Sequence, residues 1–452
     1  MPILDKKKKK KLRPAQTLAL GFFIIITVGA VILSLPFSSK SGDFTSIVDC
    51  IFTAASATCV TGISVVDTFT HWNVFGQTII MLLIQTGGLG FITLITFFNL
   101  AIGKKLGFLQ ATDFSSDLTM SGLSATKKIF FRVVILSFTI ETVGACLLMV
   151  RLVPDYGAYG IYMSFFTAVS AFCNAGFDLF GIESPGVGMS IFIDDPYVLI
   201  VTALIIIMGG LGFVVWEELI ALKRTKKLSL HSKVVLLMNL VLIISGTVIY
   251  LIIEAVETQS FGEYTVSERI TTSFFASVSS RTAGFSAAPL PTASSFSKLF
   301  TILLMLIGAA PGSTGGGIKV TTIAIIIATA WSVLRGKEDT VILRHRVSKQ
   351  VVYKTLTTLC FSLLFLITGF FLVHLLNNDM DSVDTLFEVV SAFSTTGFSS
   401  GLSENSGNTT KLILSFIMFI GRIGPVSLML SLTGESAKNK SEILPFGEIM
   451  VG

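Results

Sequence analysis

The chain has 452 residues, of which 52% are hydrophobic and only 13% are charged, with a formal net charge of +5. Soluble domains average about 25% charged residues, so this composition excludes an ordinary water-soluble protein. Apolar runs of about 20 residues or more recur along the chain, and a helix of that length can cross a hydrocarbon core of about 30 Å. We therefore expect an all-α membrane protein embedded in a lipid bilayer.

The chain begins with a lysine-rich segment, Lys6 to Lys11, followed by an apolar stretch at about 16–37. A cleaved signal peptide has a shorter apolar core and a small-residue cleavage site. The longer stretch here is predicted to be the first transmembrane helix. It is preceded by a basic, cytoplasmic N-terminus at 1–15.

Lysine and arginine cluster along the chain at 6–13, 104–105, 127–128, 223–233, 335–349 and 438–440. The segments between these clusters are acidic or neutral. Because lysine and arginine mark cytoplasmic loops, both termini and three connecting loops are predicted to be cytoplasmic in a multi-pass protein of the plasma membrane. The basic residues form no single patch, which argues against a nucleic-acid partner.

Four segments of the chain align on a glycine, at intervals of 108 to 114 residues. The segments are TAASATCVTGIS at Gly62, TAVSAFCNAGFD at Gly176, FASVSSRTAGFS at Gly284 and EVVSAFSTTGFS at Gly397. A phenylalanine stands ten residues before each of these glycines. Four such matches at near-equal spacing indicate an internal repeat.

Each glycine lies between two apolar runs of spanning length. The preceding runs are at about 16–37, 129–152, 233–254 and 351–376, and the following runs are at about 74–102, 196–221, 298–332 and 411–433. The dozen residues before each glycine reach only about 20 Å as a helix, which is too short to cross. We predict a re-entrant half-helix there, followed by an extended loop that returns to the outer surface.

This topology gives four repeats that all face the same way. The repeats are predicted at 16–104, 129–222, 233–334 and 351–434, with a cytoplasmic C-terminus at 435–452. Non-helical backbone at membrane depth is tolerated only against protein or a water-filled cavity, so four such loops indicate a shared aqueous path. The predicted fold is four parallel helix–half-helix–helix repeats around a pseudo-four-fold pore, with eight full transmembrane helices.

The loops that follow the half-helices are the predicted cation filter. Each half-helix would aim its negative C-terminal end at the pore axis, and rings of main-chain carbonyl groups can replace the hydration shell of K⁺. The predicted K⁺-binding residues are Thr58, Cys59, Val60, Thr61, Gly62, Cys173, Asn174, Ala175, Gly176, Arg281, Thr282, Ala283, Gly284, Ser394, Thr395, Thr396 and Gly397. Only one acid, Asp178, adjoins any of the loops, which favours a monovalent cation over a divalent one.

Helix packing is the alternative explanation for the four aligned glycines, because small residues are common where membrane helices touch. It accounts well for one glycine and poorly for four with flanking phenylalanines. We assign to packing the glycines within the long apolar runs, namely Gly87, Gly88, Gly90, Gly209, Gly210 and Gly212.

These residues resemble the Trk/Ktr/HKT superfamily of K⁺ transport proteins over nearly the whole chain. The resemblance is carried by the four repeats and their VTG, NAG, TAG and TTG loops. With no extra helices before the first repeat, the chain is most similar to the KtrB-type membrane subunits. The resemblance implies a homodimer with one pore in each protomer. It also implies a cytosolic ring of RCK subunits of the KtrA/KtrC type, which bind the regulatory nucleotide.

The same resemblance bears on the ion. In this family a serine in place of the first filter glycine goes with Na⁺ permeation, and here all four positions are glycine, which supports K⁺. A role for Na⁺ as an activator stays open. No cofactor is expected in this chain itself.

The third repeat contains a helix break that is the predicted gate. Gly308 to Thr322 includes Pro311 and five glycines within an apolar run, and these residues disfavour a helix. The resemblance implies a gating loop at this place. In register with the break, the fourth repeat carries Arg422, and a charge at this depth costs at least about 2.5–3.5 kcal/mol on insertion scales.

We hypothesise that Arg422 and the loop 308–318 together obstruct the path below the filter. The predicted gate residues are Gly312, Ser313, Thr314, Gly315, Gly316, Gly317, Lys319 and Arg422. The alternative for Arg422 is that it only holds the carbonyl groups freed by the broken helix. Lys319 either lines the inner vestibule or extends toward the cytoplasmic surface.

Two further charged residues are assigned to structure. Arg281 is expected to brace the third half-helix from behind, and Glu141 to be a buried hydrogen-bonding partner and not a proton relay.

The predicted function is K⁺ uptake through a channel-like path, and no enzymatic activity is expected. The five cysteines and four histidines show no metal-ligand spacing, and no catalytic triad or acid pair stands out. The membrane potential supplies about 2.3 kcal/mol per 100 mV for each charge, so K⁺ entry needs no ATP hydrolysis in this chain. An ion-coupled symporter that moves K⁺ with Na⁺ or H⁺ is the alternative, and a receptor or scaffold fits the repeats poorly.

Overall fold

The computed structural model describes residues 14–101, 123–256, 264–287 and 293–432. The α-helices are α1 (Pro14–Ser34), α2 (Ile47–Cys59), α3 (Thr68–His71), α4 (Val74–Ala101), α5 (Leu123–Cys173), α6 (Pro196–Gly210), α7 (Phe213–Thr225), α8 (Leu230–Val256), α9 (Val266–Ser279), α10 (Ser295–Leu306), α11 (Val320–Leu334), α12 (Lys349–Leu376), α13 (Ser382–Ser394), α14 (Leu402–Asn405), α15 (Asn408–Ile423) and α16 (Pro425–Leu432). Single 3₁₀ turns lie at Pro36–Ser38, Phe180–Ile182 and Gly188–Phe192, and a small antiparallel hairpin pairs β1 (Val341–Ile342) with β2 (His345–Arg346).

Some of the segments predicted from the sequence lie outside the part of the chain that the structure describes. The predicted C-terminal segment 435–452, the basic pairs at 104–105 and 127–128, and nearly all of the predicted N-terminal segment 1–15 lie outside the described side chains.

A long apolar helix opens each predicted repeat. These helices are α1, α5, α8 and α12, and among the described residues they are the ones long and apolar enough to cross a membrane alone. The pair α6 and α7 adds a fifth such span if the two helices, bent by 96°, are counted together. The chain thus has the helical, apolar character of a multi-pass membrane protein, and the number of eight crossings stays a prediction.

Short helices precede three of the four aligned glycines, as predicted. They are α2, α9 and α13, of 13, 14 and 13 residues. The second repeat differs, because its half-helix is the end of α5, which turns at Gly157 with a φ of 58°. The predicted end of the preceding helix at residue 152 is therefore wrong. Helix continues past Pro154, and the change of direction occurs where glycine permits a left-handed backbone.

The second helix of every repeat is broken, and not only that of the third. The breaks fall at Gly90 within α4, at Gly212 between α6 and α7, and at Gly424 between α15 and α16, with φ values of 48°, 88° and 89°. The prediction of continuous helices at 74–102, 196–221 and 411–433 is wrong for this reason. So is the assignment of Gly90 and Gly212 to packing alone. The third repeat has the longest break, from Ile307 to Lys319 between α10 and α11.

Helix starts follow ordinary capping chemistry. The α9 helix begins with a capping box, in which the Thr265 hydroxyl accepts from the Glu268 N–H while the Glu268 carboxylate accepts from the Thr265 N–H. The α6 helix begins with Asp195 as its N-cap and Pro196 in its first turn.

The repeats pack in a closed ring. In each case the second helix of one repeat lies against the half-helix of the next: α4 on α5, α6 on α9, α10 on α13, and α15 back on α2. The phenylalanines ten residues before the glycines lie in this core, with Phe52, Phe166 and Phe387 fully buried and Phe274 partly buried.

Two junctions of this ring carry matched ion pairs. The Lys298 ammonium lies 2.6 Å from an Asp384 carboxylate oxygen, and the Lys411 ammonium lies 2.7 Å from an Asp49 carboxylate oxygen. Both pairs join the start of a second helix to the start of the next half-helix, and all four side chains are at most 20% exposed. The pairs therefore hold the fourth half-helix to the third repeat and the first half-helix to the fourth repeat.

Removing the lysine of one pair should destabilise the ring. We expect Lys411→Met to lower the free energy of unfolding in detergent by roughly 3 kcal/mol, because Asp49 is left with an uncompensated, largely buried charge. The double variant Lys411→Met/Asp49→Asn should recover most of that loss. As a control, Arg346→Met breaks a pair whose arginine is 72% exposed. It should change stability by only about 0–1 kcal/mol. Equal losses of unfolding free energy in Lys411→Met and Arg346→Met would contradict this role for the buried pair.

Candidate functional site: a ring of main-chain carbonyl groups

The four aligned glycines meet in one place. A β-carbon built on any of them would press on the main-chain carbonyl of the residue that precedes the glycine of the next repeat. The four contacts are Gly62 with Ala175, Gly176 with Ala283, Gly284 with Thr396, and Gly397 with Thr61. The last contact returns to the first repeat, so the four loops form a closed ring in chain order.

The backbone of the four loops repeats an uncommon conformation. The residue two before each glycine has a positive φ although it carries a side chain, and each glycine also has a positive φ. The values are 59° at Val60, 59° at Asn174, 72° at Thr282 and 51° at Thr395. Such residues cost about 1–3 kcal/mol each and cluster at functional sites. Four copies at equivalent positions indicate that the loop conformation serves a function.

The carbonyl oxygens at and just before the four glycines have no hydrogen-bond donor among the described residues. Across the described residues, no N–H or side-chain donor reaches the main-chain oxygens of Val60, Thr61, Gly62, Asn174, Ala175, Gly176, Thr282, Ala283, Gly284, Thr395, Thr396 or Gly397. The hydroxyl groups of Thr61 and Thr396 are likewise buried without a partner among them. Buried polar groups are nearly always satisfied, so a cluster of unsatisfied oxygens suits a positively charged occupant.

A serine that we did not single out in the sequence shapes three of the loops. It stands six residues before the glycine, and its carbonyl accepts a hydrogen bond from the residue that precedes the glycine, at 2.7 Å for Ser56, 2.7 Å for Ser170 and 2.9 Å for Ser391. The hydroxyls of Ser56 and Ser391 also accept from the glycine N–H groups, at 3.0 and 3.1 Å. These contacts end the half-helix and turn the chain into the loop. The signal was present as a serine at the same place in three of the aligned segments.

The third loop is built differently. Its half-helix ends at Ser279, two residues earlier relative to the glycine than in the other repeats, and the Ser279 carbonyl accepts from the Gly284 N–H at 3.2 Å. Arg281, which we included among the filter residues, sends its buried side chain toward α8, where the guanidinium donates to the Asn239 amide oxygen at 2.6 Å. That contact fits the bracing role expected for it.

Close glycine contacts join each half-helix end to a second helix. A β-carbon on Gly87 would overlap the Thr58 carbonyl. Equivalent overlaps occur between Gly209 and Phe172 and between Gly421 and Phe393. Packing glycines were predicted at 87 and 209, and the structure confirms that role.

The side chain of Cys173 contacts Gly88 and points toward Gln85, whose amide nitrogen donates to the buried Glu141 carboxylate at 2.8 Å. Glu141 therefore has the hydrogen-bonding partner expected for it.

The loop between α10 and α11 lies against the half-helix side of the ring. Thr314 donates from its hydroxyl to the Phe172 carbonyl at 3.0 Å, Gly315 contacts Thr282, and Gly316 contacts Thr395. The loop is therefore in contact with residues of the second, third and fourth repeats. Of the other predicted gate residues, Gly317 contacts Ser394, Ser313 donates to Ala310 within the loop at 2.6 Å, and Gly312 is exposed with a φ of 69°.

Arg422 connects this loop to the first repeat. Its guanidinium donates to the Thr314 carbonyl in the loop and to the Gly87 carbonyl at the break of α4. The Lys319 ammonium donates within the loop to the Gly315 and Gly316 carbonyls, at 2.6 and 3.4 Å. Lys319 thus holds the loop, because its ammonium group is turned back onto the loop's own carbonyl groups. Both cations satisfy carbonyl groups that the helix breaks release.

Comparisons with known proteins place the chain among cation transport proteins. The TrkH family profile, described as a cation transport protein, matches residues 5–442. The chain is 38% identical to the Ktr system potassium uptake protein B of Bacillus subtilis over 97% of each chain. It is 35% identical to the potassium/sodium uptake protein NtpJ of Enterococcus hirae over the full length of both. The crystal structure of the potassium transporter TrkH from Vibrio parahaemolyticus has the same fold, with a TM-score of 0.70 at 18% identity, and covers 95% of this chain and 86% of that one.

A matched pair of glycine variants tests the ring geometry. Gly284 and Gly186 share a φ of 73°, but a β-carbon would press on Thr396 and Gly397 at the first position and meets nothing within 4 Å at the second. We expect Gly284→Ala to abolish cation flux into liposomes. Gly186→Ala should retain the flux, with a stability loss of only about 1–2 kcal/mol from backbone strain. Equal flux through both variants would show that close approach of the loops is not required.

Proposed function

Because the chain belongs to the TrkH family of cation transport proteins, we propose that it takes up K⁺ through a pore formed by its four carbonyl loops. The observation that carries the proposal is the closed ring of four glycines, whose loops offer main-chain oxygens with no hydrogen-bond donor among the described residues. Such oxygens can replace the water that a partly dehydrated K⁺ gives up. The names of two relatives support K⁺ as the ion, since one is a potassium uptake protein and the other a potassium/sodium uptake protein.

The half-helices add a favourable field to this ring. Each one ends at the loop that it precedes, so its C-terminal end contributes roughly half a negative charge close to the oxygens. Four such ends favour a cation without the strong, localised charge that a ring of carboxylates would present. We infer that the repeats surround a pseudo-four-fold axis along the membrane normal, with eight crossings and both termini in the cytoplasm.

The loop Gly308 to Ile318 and Arg422 form the proposed gate of this pathway. Their position supports this proposal. The loop contacts the second, third and fourth repeats on the half-helix side of the ring, and Arg422 connects the loop to the first repeat. A cation that leaves the filter would meet this loop and a fixed positive charge. Movement of the loop, with release of the Thr314 and Gly87 carbonyls by Arg422, would open the way.

Coupled transport is the second candidate. One relative is named a potassium/sodium uptake protein, which favours a role for Na⁺ as activator or coupled ion. A channel and a symporter can share the carbonyl ring, and they differ in whether the driving force includes the second ion.

The assembly is also proposed from the family. Relatives from Bacillus subtilis are named as proteins of a Ktr system, and we propose that this chain likewise works with a regulatory partner. The partner would be a cytosolic ring of nucleotide-binding RCK subunits beneath a homodimer of this chain in the plasma membrane.

Reversal potentials of the purified chain in a planar bilayer test the proposed function. We expect the current to reverse at the K⁺ equilibrium potential and to keep that value when Na⁺ or H⁺ gradients are changed. A reversal potential that shifts with the Na⁺ or H⁺ gradient would favour the symporter. Equal permeation by K⁺ and Na⁺ would contradict a K⁺-selective ring.

Substitution of the arginine tests the gate. We expect Arg422→Ala to raise K⁺ flux about tenfold or more, because a unit charge about 4 Å from the ion opposes it by on the order of 4 kcal/mol at an effective dielectric constant of 20. Arg422→Lys is the matched control, since it retains the charge and should stay slow. Flux of ⁸⁶Rb⁺ into liposomes, measured on protein that elutes as a folded species, gives the result. Unchanged flux in Arg422→Ala would leave the arginine with a structural role only.

A further inference from the structure

The fourth half-helix has a carboxylate at a position where its three counterparts have none. Glu388 stands nine residues before Gly397 and is completely buried. The equivalent positions in the other repeats are Thr53, Thr167 and Phe275. A buried carboxylate is costly unless several donors satisfy it, so its surroundings indicate what it holds in place.

Among the described residues, all the donors to Glu388 come from the short segment that follows the fourth filter loop. The Ser400 N–H donates to the carboxylate at 2.8 Å, and the Ser399 hydroxyl donates at 3.0 Å. The hydroxyl of Ser403, itself fully buried, also donates to it, and the Ser400 hydroxyl lies 3.1 Å away. One side chain in the middle of α13 thus binds the segment 399–403 through several hydrogen bonds.

This segment is continuous with the ring. Ser399 is only two residues beyond Gly397, whose conformation with a φ of 103° brings it against Thr61 of the first repeat. On its other side, the fourth loop is fixed by the Ser391 hydroxyl, which accepts from the Gly397 N–H at 3.1 Å. The loop is therefore tied to its own half-helix both at the glycine and beyond it.

We propose that Glu388 is a positioning residue for ion selectivity, which clamps the outer end of the fourth filter loop and so sets the spacing of the carbonyl ring. The inference rests on the proposed function of that ring as a K⁺ filter. A functional site requires its groups to be held within about 0.5 Å by such supporting hydrogen bonds. Release of one loop would enlarge the ring on one side, and the coordination of K⁺ relative to Na⁺ would change.

The experiment compares K⁺/Na⁺ permeability ratios of purified variants in bilayers under bi-ionic conditions. Glu388→Ala removes every contact and should lower the ratio about tenfold, within the range that the loss of a buried charged hydrogen-bond partner can produce. Glu388→Gln should lower it by less than about threefold, because the amide oxygen still accepts from Ser400 and the serine hydroxyls can turn to accept from the amide nitrogen.

A matched control is available in the third repeat. Glu254 of α8 is also buried, and its carboxylate accepts from Ser273 in the middle of the half-helix α9, away from the filter loop. Glu254→Ala removes a buried carboxylate of equal size and should leave the permeability ratio unchanged.

The outcomes separate the clamp from the filter itself. A wild-type protein without K⁺ preference would overturn the proposed function. A selective wild type with an equally selective Glu388→Ala would overturn the clamp alone. A Glu388→Gln variant as poorly selective as Glu388→Ala would also overturn it, by showing that charge and not position matters. If Glu388→Ala does not fold, Ser403→Ala removes a donor from the other side and should lower the ratio by itself.

Discussion

The structure depends on one constraint, which is that main-chain oxygen buried away from water must find a positive partner. The broken helices and the filter loops meet this constraint in opposite ways. At the breaks, Arg422 and Lys319 donate to the Gly87, Thr314 and Gly315 carbonyls. In the ring, no donor among the described residues reaches the main-chain oxygens of the filter loops. The chain thus neutralises its own backbone at the breaks and leaves the ring's oxygens to the cation that we propose as its cargo.

Much of this arrangement could be predicted because it is written in a local, repeated pattern. A glycine with a phenylalanine ten residues earlier and a short apolar stretch says little in one copy, but four copies at near-equal spacing indicate a repeat. The half-helices α2, α9 and α13 and the meeting of the glycines followed from that pattern. Arg422 stood out in the sequence because it is a single charge that interrupts an apolar run.

Other features could not be predicted because they depend on contacts between distant segments. A glycine such as Gly90, Gly212 or Gly424 in an apolar run looks the same in the sequence whether it packs a helix or breaks it. Lys411 and Asp49 are 362 positions apart in the sequence, and the residues around each of them do not indicate that the two form a pair. The role of Glu388 was hidden for a similar reason, since serines in a polar loop are ordinary until the fold brings them around one carboxylate.

The ring also has a direction. Every filter glycine faces the residue before the glycine of the following repeat, so each interface is made of two chemically different halves. A change that enlarges one glycine position in the course of evolution would therefore be accommodated on the downstream neighbour and not on the upstream one. For Gly62 that neighbour is Ala175, and for Gly397 it is Thr61. Among divergent relatives with such a repeat, paired substitutions should accordingly run one way around the ring.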